Sequence, residues 1–223
     1  MASPVGPEYQ AQHPLSMERG GRAADWFQAN ARAVGIAGVA IALAAVGAVA
    51  WRSSERAKAQ RAETALYRAQ AGAAGGGDVR QAERALREVA TRYAGTAGGF
   101  QAQLLLVQGM YESGRYQEGL TQLGRAKAPA EFQEAAELLR AAGLEGAGRG
   151  AEAGRVYEAL ARKSGLPDRR RDELRAAAAR AFALGNDRAA ALRLWKEIAK
   201  SEKSGLLDEA RIRIGELSQI SGA

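Results

Sequence analysis

Cysteine is absent from the 223-residue chain, which excludes disulfides and thiolate chemistry. Histidine occurs once, as His13 in a Pro-containing N-terminal tail. Without a usable His or any Cys, no nucleophile–base–orienter set can be assembled. No clustered Asp/Glu array suggests an oxygen-ligated metal; Glu131, Glu134 and Glu137 recur at i, i+3, i+6 as the solvated face of a helix. The glycine run at 75–77 lies between helical segments and lacks the Lys-Ser/Thr of a phosphate loop. The chain is therefore not expected to be an enzyme, and no cofactor, metal or small-molecule substrate is expected. Proline is scarce, with three of five residues inside the first 17, and aromatics make up only 6%. Such a chain is poor in strand formers, and its Ala, Arg, Glu and Leu favour closely packed helices. An all-α class follows.

Charge of one sign is also in short supply. The 32 basic residues outnumber the 25 acidic ones, for a net charge of +7, but the two signs interleave along most of the chain. Nucleic acid is therefore not an expected partner. The most basic cluster is Arg169-Arg170-Arg171, with Arg162, Lys163 and Arg175 nearby. It reads first as a solvated insertion loop and second as a contact for an acidic partner or headgroup.

One long apolar run is present, AVGIAGVAIALAAVGAVAW at 33–51, bracketed by Arg32 and Arg52. As a helix it matches a hydrocarbon core of about 30 Å. Trp26, Phe27 and Trp51 mark its edges. The run is expected to be a single N-terminal transmembrane helix in contact with the lipid bilayer. Gly35, Gly38 and Gly47 offer close packing to other membrane helices. Arg52, Arg56 and Lys58 follow, placed to reach headgroups. A cleaved signal peptide fits less well, because 32 residues precede the run. Residues 1–32 then form a flexible tail and membrane approach, 33–51 the span, 52–77 a juxtamembrane helix and 78–223 a helical array.

Within the array a pattern repeats. Gly77-Asp78 is followed by Ala82 and Leu86, and Gly114-Arg115 by Gly119 and Leu123. Gly148-Arg149 leads to Ala153 and Tyr157, and Gly185-Asn186 to Ala190 and Leu194. The small residue comes five after the Gly and the large one nine after, and the glycines are 37, 34 and 37 apart. A glycine ends helix A through a left-handed turn. The small residue lets helix B approach, and the large one fills the groove between pairs. A period near 34 with helix–turn–helix content marks a tetratricopeptide-like solenoid. About four helix pairs are expected, with Leu105, Leu106 and Met110, then Leu138, Leu139 and Leu144, then Leu174, Ala178, Phe182 and Leu184 as core. Residues 206–220 carry Leu207, Ala210, Ile214 and Leu217 on one face and read as a closing cap helix.

WFQANAR before the apolar run, WRSS after it, the repeat spacing and the closing ARIRIGELSQI together resemble a known bacterial family. It is the tetratricopeptide-like ancillary subunit of the Sec translocon, and the resemblance covers about residues 24–220. It implies a bacterial inner-membrane protein with periplasmic repeats, and the translocon and chaperones as partners. The Pro-containing N-terminal extension and the basic balance depart from that pattern. Arrays of this kind bind along the A helices. Carrying their groove positions over, with Gly114, Gly148 and Gly185 as register marks, gives Gln101, Leu104, Gln108 and Tyr111, then Leu138 and Glu145, then Asp172, Arg175 and Phe182. The expected function is a membrane-tethered scaffold that binds proteins during assembly or secretion. The alternative is a permanent accessory subunit of a larger membrane complex, of respiratory or photosynthetic type.

Overall fold

A computed structural model describes the backbone of residues 31–74, 78–201 and 204–219, and the side chains of these except at 31–42 and 72–74. Among the described residues every regular element is helical. In order they are α1 (Ala31–Ala74), α2 (Val79–Arg92), α3 (Ala97–Glu112) and α4 (Tyr116–Leu123). A 3₁₀ turn at Ala130–Phe132 leads into α5 (Gln133–Gly146), followed by α6 (Gly150–Ala161), α7 (Asp168–Leu184), α8 (Arg188–Ala199) and α9 (Leu207–Gln219). The chain divides into two compact units, residues 1–55 and 56–223.

The first unit corrects the expected membrane span. Among the described residues no helix is long and apolar enough to cross a membrane. Helix α1 runs unbroken from Ala31 to Ala74 and carries Arg52, Glu55, Arg56, Lys58 and Arg61 directly after the apolar run, so that run is the start of a longer, largely charged helix. The transmembrane helix at 33–51 is therefore withdrawn from the fold, which stands as an all-helical array. Gly35 and Gly38 lie where the side chains are not described, and Gly47 has open space around it. The tail, the approach to α1 and the first turn glycine, Gly77, lie outside the described residues.

In the second unit α2 to α9 each pack on their neighbours in sequence, with α3 also touching α5. This nearest-neighbour order is that of a solenoid. Leu66 and Ala69 of α1 are buried with Val89 of α2 and Ala102 of α3, and Ala62, on the same face by its i, i+4, i+7 spacing, lies against Gly98 at the start of α3. Three side chains cap helix starts: Asp78 accepts from Arg80 N at 3.0 Å, Thr96 from Gly99 N at 3.1 Å, and Asp187 from Ala190 N at 3.1 Å. The array closes on α9, where Ala210 is buried and Leu206, Ile214 and Leu217 pack on Trp195, Leu194 and Ile198. Partial burial of each of these three larger side chains stabilises the end by about 1 kcal/mol.

Three turns fix the register. Arg115 N donates to Met110 O, Arg149 N to Leu144 O and Asp187 N to Phe182 O, all at 2.8 Å. One residue earlier, Gly114 N reaches Tyr111 O, Gly148 N reaches Glu145 O and Asn186 N reaches Ala183 O. This paired pattern is a Schellman closure, which needs a left-handed residue after the helix. Gly114 (φ 74°), Gly148 (φ 73°) and Asn186 (φ 60°) supply it. In the last repeat the left-handed residue is thus Asn186, not Gly185, whose φ is −81°. Gly185 is small for another reason: a Cβ there would overlap the backbone of Gly150 and Ala151 at the start of α6.

Counted from Asn186, the small residue five later is Ala191 and the large one nine later is Trp195, 0% and 1% exposed. These replace Ala190 and Leu194 as the equivalents of Gly119 and Leu123. Leu184, expected in the core, is 77% exposed. It stands two before the left-handed residue, as do Glu112 and Gly146, which are also exposed.

Candidate partner-docking face

On each A helix the positions 13, 10, 6 and 3 before the left-handed residue lie along one stripe, since steps of three and four keep to one helix face. On α3 these are Gln101, Leu104, Gln108 and Tyr111. On α5 they are Ala135, Leu138, Ala142 and Glu145, and on α7 they are Glu173, Ala176, Arg180 and Ala183. The position six before is exposed in all three repeats: Gln108, Ala142 and Arg180. The position thirteen before is open at Gln101 and Ala135 and half-buried at Glu173. The position ten before is sunk in every case, half-buried at Leu104 and Leu138 and buried at Ala176. The result is a shallow face with small methyl groups at its centre and polar side chains at its ends.

The sequence-derived positions distribute as follows. Gln101 and Gln108 are exposed, and Gln108 Nε2 donates to Glu112 Oε1 at 3.2 Å. Leu104 packs with Phe132 and Leu139 between α3 and α5, and Leu138 with Leu160 and Leu174 between α5, α6 and α7. Glu145 is half-buried and accepts from the Tyr157 hydroxyl at 3.4 Å. Burial pushes the Glu145 carboxyl above its ordinary range, against the Tyr157 hydrogen bond. Burial, then the Glu145 charge, pushes the Tyr157 phenol up to about 12.

Asp172 is buried beside Arg175 at 3.3 Å, and Arg175 also meets Glu197 of α8 at 3.6 Å. Tyr111 and Phe182 are inside the array, 9% and 3% exposed. A methyl at Gly119 or Gly143 would overlap the Tyr111 ring, and one at Gly154 would overlap Phe182. These rings fill the space between helices. The structure therefore brings Asp172 to Arg175, and leaves Tyr111 and Phe182 in separate core clusters.

Of the expected headgroup contacts, Arg52 and Arg56 are exposed. Lys58 Nζ donates to Ala94 O at 3.3 Å, beyond the end of α2.

Sequence reasoning missed Ala135, Ala142, Glu173, Ala176, Arg180 and Ala183 as face positions. The signal for the last four was Asn186, because Asn is the residue besides Gly that most readily adopts the left-handed region. It also missed ion pairs set about one repeat apart. Arg115 reaches Glu83 at 2.6 Å, Arg170 reaches Glu134 at 2.8 Å, and Arg193 reaches Glu158 at 2.9 Å. They join α2 to α4, α5 to α7 and α6 to α8, so each ties like helices of successive pairs. The Arg115 hydrogen bond holds the Glu83 carboxyl below its ordinary range, over the opposing effect of burial.

A family model described as a tetratricopeptide repeat-like domain matches residues 24–162. Neither a curated protein nor a solved structure matches the chain.

Proposed function

Because the chain belongs to the tetratricopeptide repeat-like family, we propose that it is a non-catalytic scaffold that holds a segment of another protein across α3, α5 and α7. The observation that carries this reading is the in-register row Gln108, Ala142 and Arg180, exposed on three successive A helices. Alanine at the centre lets a partner backbone approach closely and the Gln108 amide offers directed hydrogen bonds, while the Arg180 guanidinium is held over Trp195 by Glu209 at 2.6 Å. The row has little net charge, so the segment it fits is amphipathic and not strongly acidic or basic.

A photo-crosslinking residue at position 142 tests this. The comparison site is Arg155, exposed on α6. Discrete adducts from 142 and none from 155 are expected, and Ala142→Arg should reduce co-purification of the same proteins without changing the thermal midpoint. Identical adducts from both positions, or binding indifferent to Ala142→Arg, would overturn the reading.

A further inference from the structure

Covered carboxylates in the array are compensated, with one exception. Among the described residues, every buried or half-buried Asp or Glu pairs with an arginine or caps a helix start, apart from Glu145. The arginines at 162–175 belong to the same pattern: Arg162 is held by Glu158, Arg170 by Glu134, Arg171 by Asp168 and Arg175 by Asp172.

Glu145 has no ion-pair partner among the described residues, and its one hydrogen bond there comes from the Tyr157 hydroxyl at 3.4 Å. That length is well beyond the O–H···O optimum of about 2.7 Å, so most of the acceptor capacity of the carboxylate is unmet. The basic side chains nearest in sequence are committed elsewhere, Arg140 to Glu137 at 3.5 Å and Arg149 to Glu152 at 2.7 Å. Glu145 stands three before Gly148 on α5, one turn after the exposed Ala142, so its solvent-facing part lies along the partner-docking face. The other charged stripe positions of that face are neutralised within the chain, Glu173 by Arg169 and Arg170, and Arg180 by Glu209. The equivalents of Glu145 in the flanking repeats, Tyr111 and Ala183, carry no charge. The stripe therefore presents one uncompensated charge, which is negative, on the middle helix and half withdrawn from water.

We propose that Glu145 is the charge-reading residue of the docking face and receives a lysine or arginine side chain of the bound segment. A partner cation supplies the missing donors and offsets the cost of holding a carboxylate partly out of water. This inference rests on the scaffold reading and adds the chemistry of the partner: an amphipathic segment with one basic side chain placed opposite α5.

The test is selection of a phage-displayed library of random linear peptides on the immobilised full chain, with the recovered peptides synthesised and titrated by fluorescence anisotropy. Peptides blocked by Ala142→Arg are expected to share Lys or Arg at one position. Glu145→Gln should weaken them about ten-fold, and neutralising the basic residue of the peptide should cost the same without adding to Glu145→Gln. The change on the peptide needs no altered protein, so it reads the charge pair independently of folding. Glu88→Gln, an equal charge change on the exposed side of α2, should leave affinity within about two-fold. Peptides blocked by Ala142→Arg yet indifferent to Glu145→Gln, or weakened equally by Glu88→Gln, would overturn the role of Glu145 and leave the scaffold reading standing. Recovery of no peptide that Ala142→Arg blocks would overturn both.

Discussion

Tyr111 and Phe182 do similar work in two parts of the array. Each is an aromatic ring on an A helix, buried against a B-helix glycine: Tyr111 on Gly119, with Gly143 on its other side, and Phe182 on Gly154. They differ in one hydroxyl. The Tyr111 hydroxyl is buried without a hydrogen-bond partner among the described residues, and burial pushes its pKa up to about 12. A buried unmatched hydroxyl costs about 1–3 kcal/mol, and Phe182 carries no such cost. The junction of the second and third repeats is thus held with less margin than that of the third and fourth. Close helix approach, and not the chemistry of the ring, is what both junctions require.

The largest effect should come from filling the glycine space. Gly143→Val and Gly154→Val each force a side chain into an aromatic ring, and each should lower stability by about 3 kcal/mol in urea unfolding, the upper part of the overpacking range. An unchanged midpoint for either would break the comparison at that junction.

Backbone handedness comes next. Gly114→Val and Asn186→Val should each cost about 1.5 kcal/mol by thermal unfolding, because both place a β-branched residue at positive φ. Asn186→Gly should be neutral or mildly stabilising. If Asn186→Val were silent while Gly114→Val was not, the shared register of the repeats would fail.

The hydroxyl contrast is smaller and has opposite signs. Tyr111→Phe should raise stability by about 1 kcal/mol, since it removes the unmatched group and keeps the ring. Tyr157→Phe should lower it by about 0.5 kcal/mol, because that hydroxyl donates to Glu145. A loss with Tyr111→Phe in chemical denaturation would mean that the hydroxyl is satisfied in solution.

The smallest effects lie in pH dependence. Glu145 has a raised pKa, so the folded state binds its proton more tightly than the unfolded state. Its contribution is greatest below the ordinary value of 4.5 and is lost as pH rises through the folded pKa. Glu83 has a lowered pKa; its contribution is full above 4.5 and is lost as pH falls through the folded pKa. Glu145→Gln should therefore remove a fall in stability with rising pH, and Glu83→Gln a rise. Midpoints measured from pH 3 to 7 would separate them, and slopes of the same sign would contradict the assignment.

Much of the fold was legible in the chain. The paired offsets from Gly114 and Gly148 located two turns, two close approaches and the fillers Leu123 and Tyr157. The fourth repeat was misread by one residue because Gly185 looked like its turn glycine, while Asn186 takes that conformation and Gly185 serves helix approach. That single step separates Asp172, Arg175 and Phe182 from Glu173, Ala176 and Ala183. The apolar run at 33–51 was read as a membrane span, whereas among the described residues no helix is long and apolar enough to cross a membrane.

By itself the sequence determined helix content, repeat period and the absence of cysteine thiols, because these depend on residue type and local spacing. Tertiary structure decided which left-handed residue sets each register, which aromatics are covered and which arginines pair across repeats. Those outcomes depend on how closely neighbouring helices approach, and Gly119, Gly143 and Gly154 control that distance only once the partner ring is in place.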